Sequence, residues 1–385
     1  MDRRSFLLSL GTIALSQGLM GCRRNSVSLQ VSLLARSLPS QLISKFGANV
    51  KESADLKLLL ASSPGELFAN LQQSADPNAA KSARQPSFFQ SIVGGIANSI
   101  LGSPAKPYPL SSLGDYWLQA AIAQDLIRPW AADRIPGWNT LDPQWQRMVK
   151  RDRQGQLAAT GQIWGAPYRW GATVIAYRKD KFRALGWTPT DWADLWRPEL
   201  KTKISLLDNP RETIGLTLKK LNSSYNTQNL EAIPNLALEL KALDRQAKFY
   251  SSSHYLQPLM LEDTWAAVGW STDVLPALND DAELGFAIPQ SGTSLWSDIW
   301  VLPKTASAEE KLFQQWAEFW WQPEIAKAIA QFTDAVSPVR SDSIPTSPTA
   351  PFLERQGWFQ NSELLEPIAE TTVKQYQSLW QQMRT

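Results

Sequence analysis

The stretch SLWSDIWVLP, Ser294 to Pro303, sets one carboxylate, Asp298, between two tryptophans in a segment that otherwise reads as a β-strand. Strand side chains alternate between faces, so Trp296, Asp298 and Trp300 share one face while Ser297, Ile299 and Val301 take the other. An acid on an aromatic face has two readings. It can close a structural ion pair with an Arg or Lys, or cap a strand end. It can also meet a ligand cation, because indole faces attract ammonium groups and a desolvated carboxylate pairs with one.

Outward from this strand, the chain alternates strand and helix patterns. SLQVSLLA and DLKLLLAS read as buried strands with a short helix over 39–46 between them, and GELFANLQQ continues as a helix. An irregular insert, 74–107, follows. Its apolar part could touch a partner or a membrane, or fold back on its own lobe, and Gly94-Gly95 disfavours a free helix. A turn at Gly114-Asp115 precedes a helix with Leu118, Ile122 and Leu126 at four-residue spacing, stopped by Pro129. WGAPYRWGATVIAYRKDKF carries a loop into a strand over 172–177, and TPTDWADLWRPELK holds a short helix closed by Pro198. KISLLDNPRETIGLTLKKL runs strand, turn, helix, with Asn209 as cap, Pro210 in the first turn and Ile214, Leu218 and Leu221 as the buried stripe. Further strands are expected over 265–270, 284–289 and 295–302, then a helix with a capping box from Ser307 to Glu310. The sum is an α/β chain with largely parallel sheets.

With 385 residues, 43% hydrophobic and 19% charged, the chain can build two cored lobes. A net charge of +2 implies no basic surface for nucleic acid. Most of the 18 tryptophans must be core or interface residues.

The N-terminus MDRRSFLLSLGTIALSQGLMGC has a basic start, an apolar run too short and glycine-broken for a comfortable membrane span, and a small-residue exit. It reads as an export signal over 1–21. Arg3-Arg4 resembles a twin-arginine signal, and Leu19 to Cys22 resembles a bacterial lipobox, with Met20 departing from the usual small residue. Cys22, the sole cysteine, would then be acylated at the head of a spacer over 22–28. No disulfide, catalytic thiolate or cysteine metal site remains.

Enzyme motifs are nearly absent. The single histidine, His254, cannot build a His-rich zinc site and reads as a loop residue; no HExxH, Gly-x-Ser-x-Gly, phosphate loop or dinucleotide fingerprint occurs. A two-carboxylate glycosidase is the enzyme class left, since tryptophan platforms and acids suit a sugar. Glu212 has two readings as well. Asn209-x-x-Glu212 has capping-box spacing, yet a helix N-terminus facing a cleft is also where α/β folds hold ligands.

Three stretches, WGAPYRWGATVIAYRKDKF, TDWADLWRPELKTKISLLDNPRETIGLTLKKL and LWSDIWVLP, resemble in order and spacing the spermidine/putrescine-binding proteins of bacterial ABC importers, over residues 110–339. The resemblance implies a non-enzymatic, two-lobed type II periplasmic-binding-protein fold, with ligand in the cleft and closure by hinge motion. Lobe 1 would comprise 29–172 and 297–342, lobe 2 173–296 and 343–385, with crossings near Ala172-Thr173, Trp296-Ser297 and Asp342. It further implies a polyamine lying along aromatic side chains with carboxylates at its ammonium ends: Asp298 would accept an amine, Trp296 would stack on the methylenes, and Glu212, Trp270 and Tyr116 would join them. Asn209 stands where the family carries a second acid, for which Asp115 or Asp208 would compensate. Arg36 stands where the family is aromatic, and keeps open another cargo in the same fold, anionic or a ferric complex. A membrane permease is the implied partner, the protein acting as a monomer with no cofactor and no metal.

Overall fold

The computed structural model describes residues 28–35, 37–49, 55–75, 108–306, 310–340 and 361–385. The signal and Cys22, Arg36, the insert beyond Ala75, Ser307 of the expected capping box and the expected crossing near Asp342 lie outside them.

Alternating apolar residues make β1 (Ser28–Leu34) and β2 (Asp55–Ala61) parallel partners in full register, and β3 (Leu110–Gly114) lies parallel on the other side of β1. Leu29, Val31 and Leu33 are fully buried, and the helix Pro64–Ala75 contributes Leu67, Phe68 and Leu71 to the same core. β4 (Ile127–Arg128) is a short edge piece, and β5 (Lys150–Arg151) and β6 (Gln162–Ile163) form a separate antiparallel pair. β7 (Ala166–Arg178) is the long strand, and the second half adds β8 (Ile204–Leu206), β9 (Ala247–Tyr250), β10 (Ala266–Trp270) and β11 (Leu284–Ala287). The chain then returns through β12 (Ser294–Pro303) and the short β13 (Glu363–Leu364).

Among the described residues, eleven of these strands join one sheet in the order β2-β1-β3-β12-β7-β10-β8-β9, with β11 beside β7, and β13 and β4 beside β12. Each half keeps parallel neighbours, as the βαβ pattern requires, but the long central strands run antiparallel. β7 changes partner midway. Ala166 to Ala172 face β12, and from Thr173 to Tyr177 the strand faces β10. A single strand thus belongs to both halves, and the cleft lies where it passes between them.

Several elements differ from the sequence expectation for identifiable reasons. β7 begins at Ala166 rather than 172, because Pro167 is accommodated where the β7–β12 register shifts: Asp298 faces Arg169, Ile299 faces Pro167, and Tyr168 is the extra residue. The helix after β3 spans only Leu118–Ala123, behind a single 3₁₀ turn Asp115–Trp117. Leu126 falls outside it because Asp125 turns to φ 56°, which ends the helix well before Pro129. Trp192–Trp196 is 3₁₀, capped by a reciprocal Asp191–Asp194 box, and Pro198 opens the next turn instead of closing this one. The helix Pro210–Lys220 starts as expected with Asn209 as cap, but it is buried all round from Pro210 to Leu218 rather than along one stripe.

Tryptophan supplies much of the first half's core. Trp300 stacks on Tyr168 at 4.2 Å between centroids and meets Trp316 edge-on at 5.2 Å, while Trp320 sits 5.3 Å from Trp316. Trp300, Trp316 and Trp320 are all fully buried. Large-to-small changes at such positions lose transfer energy and leave a cavity. Trp300→Ala is therefore expected to cost about 3–5 kcal/mol in urea unfolding; a loss under about 1 kcal/mol would remove this cluster from the core.

Candidate functional site

The acid between the indoles has an internal partner. Arg169, directly opposite Asp298 in the β7–β12 ladder, brings Nε to 2.7 Å and Nη2 to 2.6 Å from Asp298 Oδ2, and both side chains are buried. The guanidinium carbon also lies 6.0 Å from the Trp296 ring. Of the two readings of Asp298, an ion pair is the one the strand register builds. Arg169 stands where the resemblance put a ligand ammonium, and Asp298 keeps only Oδ1 free of hydrogen bonds among the described residues.

Trp296 is half-buried and rests on β7 at Gly171. A Cβ there would come within 2.3 Å of the indole Cζ2 and 2.7 Å of Ser271 Oγ, so only glycine allows the ring to lie where it does. Trp270, at the end of β10, is also half-buried; its amide donates to Tyr255 Oη at 3.1 Å and its ring meets Tyr255 edge-on.

Glu212 does not complete a capping box. Asn209 Oδ1 accepts from the amides of Arg211 and Glu212 at 3.0 and 3.3 Å, while the glutamate turns away to accept from Ser294 Oγ at 2.6 Å. Ser294 Oγ also lies 3.0 Å from Thr173 Oγ1. Burial holds the Glu212 carboxyl above its ordinary pKa, against the lowering effect of these hydroxyls. The helix N-terminus is thereby tied to both long strands. Asp208 pairs with Arg384 near the C-terminus instead.

Asp115 is the acid left open. It follows β3 on the 3₁₀ turn, and its Oδ1 accepts from the Ser297 amide at 3.1 Å. Its Oδ2 is buried and has no hydrogen-bond partner among the described residues. Burial pushes its pKa up to about 7; the Ser297 hydrogen bond and the charge of Arg151 oppose that rise, and the charge of Asp298 adds to it.

Asp115 and Tyr116 wall a cavity of about 40 Å³ with Arg151 from the first half, facing Arg211, Glu366 and Ile368 from the second. Burial raises the Tyr116 phenol, so it stays protonated. Arg211 Nη1 donates to Tyr376 Oη at 3.2 Å, and Nη2 to Asn226 Oδ1 at 3.3 Å and Glu366 O at 3.1 Å. Arg151 donates from Nε to Met148 O at 2.6 Å and from Nη1 to Gly155 O at 3.2 Å; burial lowers its pKa to about 10. Two contacts span the cleft at this mouth: Arg147 with Glu366 at 3.2 Å, and Gln119 Nε2 with Ile368 O at 3.3 Å. At this volume the cavity holds a few waters or one small polar group.

The structure thus gathers Asp298, Trp296, Glu212 and Asp115 around β12, with Asn209 behind Glu212 and Tyr116 on the cavity wall. Sequence reasoning missed Arg151, Arg169, Arg211 and Glu366. Arg169 and Arg211 lie inside the quoted stretches, but their partners are 129 and 155 residues away, beyond any spacing rule. His254 is exposed in a loop against Ser253, and no His, Cys, Asp and Glu cluster among the described residues has the makings of a metal site.

A bilobed α/β chain with one cleft crossed by shared strands is the architecture of a solute-binding protein. Residues 111–358 match the family described as bacterial extracellular solute-binding protein, and the chain belongs to that family. It is 26% identical over 224 residues to the spermidine/putrescine-binding periplasmic protein of Salmonella typhimurium, covering 58% of this chain and 61% of that one. The putrescine-binding periplasmic protein PotF of Escherichia coli is 26% identical over 254 residues, covering 60% and 66%. The chain spans less than two thirds of the length of these relatives. Among solved structures, the spermidine/putrescine ABC transporter substrate-binding protein PotD of Streptococcus pneumoniae superposes with a TM-score of 0.73 at 18% identity, covering 94% of this chain and 100% of that one. At that identity the likeness is one of fold.

The Arg169–Asp298 pair generates a stability prediction. Removing one partner of a buried pair strands the other charge at about 3–5 kcal/mol, whereas replacing both with apolar groups is often neutral. Arg169→Met should lower unfolding free energy by that amount, and Arg169→Met with Asp298→Leu should recover most of it. A single variant as stable as wild type would show that the pair constrains nothing.

Proposed function

We propose that this chain is the extracytoplasmic binding component of an ABC importer, and that its cargo is a polyamine-like organic cation. The observation that carries this reading is Asp115 Oδ2, a buried carboxylate oxygen with no partner among the described residues, at the wall of the cavity between the halves. An ammonium is the group that satisfies it, and relatives named for spermidine and putrescine support an amine cargo. In this reading Trp296, Trp270 and Tyr116 supply aromatic walls for the methylenes, and Asp298 offers Oδ1 with its charge already offset by Arg169. Glu212 and Asn209 act by fixing the second half to β12. The protein performs no chemistry.

Binding shifts an open–closed equilibrium by preferring the closed form, which a membrane permease then receives. The division into lobes follows the change of partner along β7. No helix among the described residues is long and apolar enough to cross a membrane. In this reading the protein is exported through the signal at 1–21 by way of Arg3-Arg4 and held at a membrane by acylated Cys22. Cys22→Ser should release the protein from the membrane fraction while leaving cargo binding intact; retention there would count against the anchor.

Calorimetric titration of putrescine and spermidine tests the cargo. Truncating one partner of a desolvated charge pair costs about 2–5 kcal/mol, so Asp115→Asn should weaken binding by about thirtyfold to several-thousandfold. Asp298→Asn should cost less, because its charge is already paired. Wild-type affinity in a folded Asp115→Asn variant would overturn the assignment.

The raised pKa of Asp115 sets a pH dependence. The free side chain ionises near pH 4, the folded one only near pH 7. Asp115 therefore favours the fold at pH below about 4, and that contribution is lost as pH rises through about 7. An ammonium cargo needs the carboxylate, so its affinity should rise up to about tenfold between pH 6 and pH 8. Asp115→Asn should flatten that profile, and a flat wild-type profile would mean that the amine binds elsewhere.

A further inference from the structure

Arg169 closes an ion pair with Asp298, yet the same cleft holds two more buried guanidiniums that make no ion pair among the described residues, although Asp115 and Glu366 act on Arg151 through their charge. Arg151 and Arg211 are each 2% exposed, and both wall the cavity that Asp115 shares. Every side-chain hydrogen bond they make goes to a neutral oxygen: the carbonyls of Met148, Gly155 and Glu366, the Tyr376 hydroxyl and the Asn226 amide oxygen. Neither has a carboxylate partner among the described residues. Arg151 is held by Nε and Nη1, which leaves Nη2 without an acceptor among the described residues at the cavity wall. Asp115 Oδ2, from the same half and lining the same cavity, is equally without a hydrogen-bond donor among the described residues.

A site built for a simple polycation gains nothing from buried cations beside it, since like charges in a desolvated cleft repel. Buried guanidiniums are stabilised by an anion, and a carboxylate is the partner whose geometry suits them. The two open ends in this cavity are one negative and one positive. Together they match a head group that carries both charges on neighbouring atoms.

We propose that the cargo is an amphoteric amine, a compound of the amino-acid class that presents an ammonium to Asp115 and a carboxylate to Arg151, with Arg211 adding positive potential. This rests on the reading of the cleft as an amine site and narrows its cargo. Asp115 fixes the amine, Arg151 selects for the acid, and a plain diamine leaves Arg151 unsatisfied in the closed form.

Two matched pairs test this directly, because L-ornithine is putrescine with one carboxylate added beside an amine, and L-lysine bears the same relation to cadaverine. Titration of the purified full-length protein with all four should give the carboxylated member of each pair an advantage of about tenfold or more, the worth of a charge-assisted hydrogen bond. Arg151→Met should bring that ratio to about one, and Arg151→Lys should keep part of it. The wild-type ratio stands alone as a test if the methionine variant does not fold. Equal or tighter binding of the diamines overturns the amphoteric cargo while leaving the amine site in place. Absence of binding by all four removes the amine reading itself, and this proposal with it.

Discussion

The register between β7 and β12 is the constraint on which the rest of this molecule depends. Sliding either strand by one residue would turn every side chain to the opposite face. The pairing that resists such a slip is Arg169 opposite Asp298, buried in the middle of the ladder. Four positions within five residues of β12 then set one side of the site: Ser294 to Glu212, Trp296 over Gly171, the Ser297 amide to Asp115, and Asp298 to Arg169. A misplaced β12 would therefore lose the tie to the second half, the aromatic wall and the acid together. A buried pair of this kind contributes little net stability. Its effect here is to choose one alignment among several that the apolar residues alone would permit.

Much of this was legible from local chemistry. Asn209 and Pro210 announced a helix start, and the apolar alternation of β1 and β2 announced strands, because both depend on neighbours within a few residues. The strand reading of SLWSDIWVLP put Trp296 and Asp298 on one face, and only the resemblance set that face toward a cleft. What could not be read was set by contacts distant in the chain. Pro167 looks like a loop residue until the register shift at Tyr168 makes room for it. Glu212 has the spacing of a cap, and only Ser294, 82 residues on, draws it away. Asp115 sits in a three-residue turn with no periodic signature, so its solitude inside the protein was invisible. An ion pair was one of the two readings of Asp298, but which arginine closes it was not legible, because an arginine in a strand pattern carries no mark of what it faces.

The distribution of tryptophan follows from the same geometry. Trp296 and Trp300 each stand two residues from Asp298, on opposite sides of it, yet Trp300 is fully buried against Tyr168 and Trp316 while Trp296 is half-buried on Gly171. The extra residue at Tyr168 divides them: on one side β12 lies inside the first half's core, on the other it borders the cleft. Identical side chains in one strand thus do different work according to which side of that residue they fall.

β7 and β12 pass between the halves as bonded strands rather than as free linkers. The stiffness of the passage is that of a hydrogen-bonded ribbon, and parting the halves means twisting it elastically. In the opening proposed above, such a ribbon would store work when bent and return it, as a spring clip does and a door on a slack cord does not. The two bonded strands, more than the length of any loop, are then what such an opening must deform.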